Sequence, residues 1–311
     1  MSKESTSHIM KNPKHDHLKR RAEILRLIRE FFNARSYLEV ETPIRIPAPL
    51  PEAHIEVVPS DGWVLQPSPE ICMKRLLAAG YEKIFQICKC FRKAERGRRH
   101  LPEMSMLEWY AAGQTYADLM GCCEELIRHI ARGLGVGGIL SYQGLTVNLS
   151  APWQRLTVAD AYRRFASISA EESLAQGRFD EIMGLEIEPN LGKNRPVFLV
   201  DYPAEKASLA RLKPGDRAVA ERFELYIGGL ELCNGFSELN DPAEQLRRFE
   251  AEQGLMRVTG KPAYPLPEKF LAGLAAMPPC AGNALGIDRL VMLFCDAAAI
   301  DEVVAFTPEQ L

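Results

Sequence analysis

Apolar positions recur at helical spacing from Leu18 to Ala34, where Ile24, Leu25, Ile28, Phe31 and Phe32 mark one face. The run YLEVETPIRIP (37–47) then predicts a strand stopped by its prolines, and Pro47, Pro49 and Pro51 predict a loop before the alternating HIEVV at 54–58. Pro67 and Pro69 precede an amphipathic helix from Glu70 to Ala79, and EKIFQICKCF (82–91) predicts a strand. A second strand, MSMLEWY, begins at Met104; Leu119, Cys122, Leu126, Ile130 and Leu134 then repeat at helical spacing until GLGVGG ends the helix. The pattern is weakest over 141–195, with helical periodicity near Val158–Phe165 and 171–184. In ERFELYIGGLELCNGFSEL (221–239) two alternating runs flank Gly228-Gly229, which predicts a two-residue hairpin. A helix near Glu244–Met256, a proline-rich loop and AGNALGIDRLVMLF, a strand or turn running into a helix, complete the chain. No repeat or low-complexity linker divides it. The expectation is one α+β domain over 18–311, hairpins flanked by helices, behind a flexible tail at 1–17.

Composition narrows the function. The 311 residues are 47% hydrophobic and 25% charged, enough for a substantial core and ordinary for an enzyme. The net charge of -3 and pI near 6.1 do not fit a dedicated nucleic-acid binder, and the basic cluster Lys11 to Arg21 reads as a solvated tail and helix start. The polar start MSKESTSHIMKNPKHDH has no apolar secretory core and no run is long enough to span a bilayer, so a cytoplasmic protein is expected. Eight cysteines never form a CxxC and sit mostly in apolar runs, which points to reduced core thiols.

Three charged constellations remain. In the first, FRKAERGRRHLPEMSMLEWY (91–110), strand alternation puts Met104, Met106, Glu108 and Tyr110 on one face and Ser105, Leu107 and Trp109 on the other. Glu108 on an otherwise apolar face needs a cation, either an internal partner such as Arg92 or a ligand. In the second, the hairpin turn sets Tyr226 opposite Glu231 and Glu224 opposite Cys233, so that Glu224 and Glu231 lie diagonally on one face. These are either solvent-facing glutamates or holders of a divalent cation such as magnesium together with phosphates. Strict alternation sends Asn234, Phe236 and Glu238 to the other face, so a kink or bulge is expected at Asn234-Gly235. The third, GNALGIDRL, puts Arg289 at a helix start behind small residues, a turn suited either to plain packing or to phosphate or base contact.

Together these segments resemble the three motifs of class II aminoacyl-tRNA synthetases, lysyl subgroup. REFFNARSYLEVETP resembles motif 1, ending at Pro43, FRKAERGRRHLPEMSMLEWY motif 2, and GNALGIDRLVML motif 3; FELYIGGLELCNGFSELNDP and SPEICMKRLLAAGYEKIFQICKCFR fit the lysyl subgroup too. The resemblance, running from about residue 18 to the end, implies an antiparallel six- or seven-stranded catalytic sheet flanked by helices and a homodimer formed through motif 1. It further implies that Arg92 holds the substrate carboxylate and α-phosphate, that Arg289 stacks on adenine and touches the γ-phosphate, that Glu224 and Glu231 hold Mg2+, and that His100 meets the ATP phosphates. For the amino acid it implies Glu238 with Tyr110 on the distal ammonium, Glu108 and Glu70 (beside Ser68) facing the other amine, Asn234 on the carboxylate, Phe236 as a wall and Ala284 at the pocket border. The family pattern departs at Ala94, where a glutamate reads adenine (Glu95 is one position late), at Leu101, an asparagine elsewhere, and at Met104, where an aromatic ring underlies adenine. The core begins almost at Met1, so no anticodon-binding OB domain is expected. The pattern is similar to the branch that activates (R)-β-lysine with ATP and attaches it to a lysine of elongation factor P, not to tRNA. The motif 2 loop arginines Arg96, Arg98 and Arg99 are then candidate contacts to that protein. A truncated lysyl-tRNA synthetase paralogue acting on tRNA or another acceptor, and a catalytically silent synthetase-like regulator, are the alternatives.

Overall fold

The structure, a computed structural model, describes residues 13–262 and 264–311. Of the tail expected at 1–17, residues 1–12 lie outside the described residues. The first helix, α1 (Pro13–Asn33), starts ahead of Leu18, because its opening turn is polar and leaves no apolar mark in the sequence.

The described strands build one main sheet of β1 (Leu38–Glu39), β2 (Lys83–Phe91), β3 (Glu103–Ala112), β4 (Gln154–Thr157), β5 (Val197–Pro203), β6 (Asp216–Ile227), β7 (Leu230–Ser237) and β8 (Cys280–Gly286). Their spatial order is β1-β2-β3-β8-β7-β6-β5-β4, and Leu212–Lys213 adds a ninth strand beside β6. The six strands from β2 to β5 in that order are antiparallel, as expected. The edges correct the expectation: β1 joins β2, and β4 joins β5, in parallel, so the sheet is mixed. The run 37–47 is likewise not one strand. After β1 the chain leaves the sheet, and Arg45–Ile46 pairs in a separate small sheet with Trp63–Leu65, which also pairs Val58–Ser60. Pro43, lacking an N–H, falls in the break.

One face of the main sheet carries the larger core. Ile24, Ile28, Phe31 and Phe32 of α1, Leu126 and Ile130 of α3 (Tyr116–Gly133), and Leu290 and Leu293 of α5 (Ile287–Cys295) are fully buried against Leu107, Trp109, Phe223 and Leu225. A polar clamp ties this layer together. Arg21 Nη1 meets Asp288 Oδ1 at 2.6 Å, Arg21 Nη2 donates to Ser105 Oγ at 2.7 Å, and the Ser105 N–H donates to Asp288 Oδ2 at 2.8 Å. One contact set therefore fixes α1, β3 and α5 together, and breaking it would strand a buried charge. On the opposite face, α2 (Glu70–Ala78), α4 (Pro242–Val258) and Glu268–Leu274 pack through Leu77, Phe249, Phe270 and Leu274. The helical stretch within 158–190 packs on β4 and β5 through Val158, Tyr162, Phe179 and Leu199. The strand glutamates singled out above lie on this second face, and Arg289, on the first turn of α5, reaches Glu231.

Candidate active site

The β6–β7 hairpin turns at Gly228 and Gly229, both with positive φ (61° and 74°), the conformation that suits a two-residue turn between twisted strands. Tyr226 faces Glu231 as expected, but Glu224 faces Asn234, not Cys233, because the register shifts between Leu225 and Tyr226. The irregularity thus falls at Leu232–Cys233 and not at Asn234-Gly235. Leu232 and Cys233 both enter the core, and the extra residue returns Asn234, Phe236 and Glu238 to the face of Glu231. The expected consequence of the kink holds although its position does not.

At one end of this face the amino-acid candidates converge. Ser68 Oγ donates to Glu108 Oε1 at 2.6 Å and Tyr110 OH donates to Glu108 Oε2 at 2.8 Å. The internal Arg92–Glu108 pair is therefore replaced by two hydroxyls, and Arg92 Nη1 lies instead 3.8 Å from Glu95 Oε1. Burial, reinforced by Glu70, pushes the Glu108 carboxyl up to about 7. Glu70 and Glu238 do not stand free. Lys74, one helical turn after Glu70, places its buried Nζ 2.5 Å from Glu238 Oε2 and against Glu70 Oε1. Burial pushes the Glu238 carboxyl up to about 8, with Glu70 and Glu108 adding to it against the pull of Lys74. The Lys74 Nζ also lies 5.2 Å from the Phe236 ring centroid, so Phe236 walls this cluster. Glu238 Oε1, Arg92 Nε and, across from Glu108, Gln86 Oε1 are among the buried polar atoms with no hydrogen-bond partner among the described residues. Gly282 is the floor, where a Cβ would lie 2.2 Å from Tyr110 Cε1 and 2.5 Å from Glu238 Oε1. Two residues on, Ala284 is paired between Asn234 and Glu108.

At the other end, Arg289 Nη1 donates to Glu231 Oε2 at 3.0 Å, and its Nη2 lies 2.5 Å from His100 Nε2. A guanidinium has only donors, so that ring nitrogen accepts; burial and the Arg289 charge lower the His100 pKa. Glu224 accepts from Arg222 Nη2 and from Tyr226 OH, each at 2.7 Å, and Arg222 Nε donates to Asn234 Oδ1 at 3.2 Å. Burial raises the Glu224 carboxyl. Burial acts on Glu231 in the same sense, but Arg289, Arg92 and Arg222 outweigh it and hold that carboxyl below its ordinary range. Glu188 is a third carboxyl here, pushed up to about 7 by burial and by Glu224 and Glu231. Beside Glu224 opens a cavity of about 110 Å³, lined by Glu188, Tyr202, Lys206 and Arg222 among others.

The departures from the family pattern have local consequences. Ala94 takes a positive φ of 62°, and this left-handed turn precedes the contact of Glu95 with Arg92. Leu101 joins the core, whereas Met104 is half-buried at the start of β3. The loop arginines are less free than expected. Arg96 meets Asp301 Oδ2 at 2.9 Å and Glu309 Oε1 at 2.8 Å, while Arg98 and Arg99 donate to the Ala298 and Gly229 carbonyls.

Lys74, Glu188 and Arg222 escaped the sequence reading. Lys74 had left a signal: it stands three residues after Ile71 and three before Leu77, on the apolar stripe of α2, and four after Glu70. Glu188 lies in irregular helical turns within 141–195, where periodicity says little.

The family described as tRNA synthetases class II (D, K and N) matches residues 2–310, and the chain belongs to it. Its relatives include proteins named elongation factor P--(R)-beta-lysine ligase. That of Vibrio cholerae is 40% identical over 306 residues, covering 93% of this chain and 94% of the relative. Those of Klebsiella pneumoniae (strain 342) and Salmonella typhi are 40% and 39% identical over 310 residues, each covering 94% of this chain and 95% of the relative. The chain is thus an AMP-forming ligase of the synthetase-like class, and among its described residues no helix is long and apolar enough to cross a membrane.

Proposed function

We propose that this chain activates (R)-β-lysine with ATP as an acyl-adenylate and transfers the acyl group to a lysine side chain of elongation factor P, in the cytoplasm, as a homodimer. The observation that carries this reading is the division of one sheet face into a carboxylate-rich end (Glu70, Glu108, Glu238) and an arginine-bearing end (Arg92, Arg222, Arg289). The first suits the two ammonium groups of a diamino acid and the second suits phosphates. The relatives' names supply the acceptor and the β-amino acid.

In the first step a substrate carboxylate oxygen attacks the α-phosphorus, and the bond to the β-phosphate oxygen breaks to release pyrophosphate. Arg92, whose Nε is buried and unmatched, would hold the carboxylate and α-phosphate in line. Arg289, with neutral His100 beside it, meets the more distal phosphates. In the second step the neutral amine of the acceptor lysine attacks the acyl carbon, an amide forms and AMP leaves. No enzyme side chain is acylated; the protein positions the reactants and neutralises charge. Glu224 and Glu231 offer hard oxygen donors from adjacent strands, and a magnesium ion takes one or two carboxylates together with phosphates, so the pair fits that ion. Bound there, it would offset the charge of the leaving pyrophosphate. Exposed Leu38, in the motif 1 segment, and Ile44, just past its closing Pro43, give the proposed dimer an apolar surface to cover.

Intact mass of elongation factor P after incubation with enzyme, ATP, Mg2+ and (R)-β-lysine tests the reading. One β-lysyl addition per protein is expected, with tRNA-Lys left uncharged in a parallel reaction. Efficient charging of tRNA, or an unmodified elongation factor P, would overturn it.

A further inference from the structure

The amino-acid end of the site holds three carboxylates brought together from three elements: Glu70 on α2, Glu108 on β3 and Glu238 just beyond β7. The side chains of Lys74 and Glu238 are 1% and 0% exposed and that of Glu70 13%, so water screens this cluster poorly. Among the described residues one side-chain cation, Lys74, stands inside it, touching Glu70 and Glu238 at once. Burial would discharge this amine, but Glu238 and Glu70 outweigh it and hold the ammonium above the ordinary lysine range. Among the described residues the other side chains around the cluster are neutral or already paired. Ser68 and Tyr110 give hydroxyl hydrogens to Glu108, Phe236 presents a ring face, burial keeps the Cys280 thiol protonated, and Arg211 is paired with Glu221. Glu52, on the loop beyond Pro51, is a further carboxyl in the field of Glu70: burial and Glu70 push it up to about 7, against the pull of Arg92, of the Ser208 hydroxyl and of Arg222.

We propose that Lys74 is the built-in counter-cation of the amino-acid pocket, and that it sets the number of positive charges the substrate must bring. With all three carboxyls ionised, the state that a bound diammonium ligand favours, three carboxylates less one ammonium leave two negative charges, and an amino acid with two ammonium groups supplies two. Lys74 is on this view a specificity-determining residue. By occupying Glu70 and one oxygen of Glu238, it leaves Glu108 and the open Glu238 Oε1 as the places for the substrate's amines. A neutral residue at position 74 would leave the pocket one charge short even with substrate bound. The proposal rests on the diamino-acid pocket described under the proposed function.

A double-mutant cycle in the full-length enzyme tests it, with KM for lysine or (R)-β-lysine and KM for ATP read separately by ATP–pyrophosphate exchange. In the wild-type background Lys74→Met is expected to raise the amino-acid KM at least tenfold while KM for ATP moves less than twofold. In the Glu238→Gln background, where one carboxylate is already gone and Lys74 overfills the count, the same substitution is expected to lower the amino-acid KM severalfold. This reversal of sign separates charge setting from mere packing, for which Lys74→Met harms both backgrounds alike. If Lys74→Met alone does not fold, Glu238→Gln, in which Lys74 keeps Glu70 as its partner, and Glu238→Gln/Lys74→Met, in which the lysine is gone, decide the matter between them. A rise or no change in amino-acid KM on adding Lys74→Met to Glu238→Gln overturns the proposal. Wild-type enzyme that exchanges with neither lysine nor (R)-β-lysine would instead overturn the diamino-acid reading beneath it.

Discussion

The two ends of the site use the same residue type in opposite ways. At the amino-acid end, carboxylates are sealed from water and answered from within by one lysine and two hydroxyls; burial pushes Glu108 up to about 7 and Glu238 up to about 8. At the nucleotide end the Glu231 side chain is 35% exposed and its Arg289 partner 20%, and the arginines hold Glu231 charged below its ordinary range. The first arrangement is short of positive charge until a ligand arrives, which suits selection. At the second, Glu231 is already ionised and guanidinium is abundant, which suits a polyanionic nucleotide. Burial, not residue identity, divides specificity from charge neutralisation.

If this contrast is right, the largest effect of a single atom change falls at the nucleotide end. Glu231→Gln keeps size and hydrogen bonding but removes the charge offered to magnesium. Adenylate formation is expected to fall by roughly 10²–10³-fold, the range found for losing one preorganised electrostatic contact, with the fold and oligomeric state unchanged by circular dichroism and gel filtration. Near-normal exchange by the folded variant would take Glu231 out of the metal role. At the amino-acid end, Tyr110→Phe strips one of the two hydroxyls from Glu108. A hydrogen bond to a charged group is worth about 1.5–3 kcal/mol, so the amino-acid KM is expected to rise roughly tenfold to a hundredfold while KM for ATP stays put. Equal changes in both constants would mean that the two ends are not separable.

Ala284 probes how finely the first end reads its ligand. It lies in register between Asn234 and Glu108 on β8; a methyl there would narrow the space for an α-amine, and a β-amine would sit one carbon along. Ala284→Gly is expected to favour α-lysine over (R)-β-lysine by roughly tenfold in the ratio of kcat/KM, within the ~1–3 kcal/mol typical of one-carbon discrimination. An unchanged ratio in a well-folded variant moves that discrimination to Ser68, Glu70 or Glu108.

The smallest effect is on stability. The carboxyls of Glu108 and Glu238 have folded-state pKa values above their ordinary ones, so between pH 5 and 8 the folded protein binds more protons than the unfolded chain. Unfolding free energy therefore falls as pH rises through that window. The ligand-free enzyme is expected to melt a few degrees lower at pH 8.5 than at pH 6, a shift of the size that about 1 kcal/mol gives in a domain this large, and saturating lysine should flatten the slope. A ligand-free Tm that rises with pH would show these carboxyls already neutralised.

Much of this site was legible because its chemistry rides on strong periodic signals. The alternation of MSMLEWY placed Glu108 and Tyr110 together, and Gly228-Gly229 fixed the hairpin that pairs Tyr226 with Glu231. What the sequence hid was three-dimensional. A bulge costs one residue and has no composition of its own, so Leu232–Cys233 could not be told from Asn234-Gly235, although the polar residues that had to face the site showed that one was needed. VFLVDYP, which became β5, did carry the mark of a buried strand in its unbroken apolar run. Lys74 was overlooked because a lysine on a helix normally faces water, and only its fit into the apolar stripe of α2 says otherwise. The parallel edge strands are two and four residues long, too short for periodicity to speak.

The central claim is that the carboxylate-rich end counts ammonium groups. ATP–pyrophosphate exchange by the wild-type enzyme with (R)-β-lysine, α-lysine and norleucine in turn tests it most directly, since norleucine matches α-lysine in chain length but lacks the distal ammonium. Exchange is expected to be fastest with (R)-β-lysine, measurable with α-lysine and at background with norleucine. Norleucine-supported exchange within tenfold of α-lysine would contradict it.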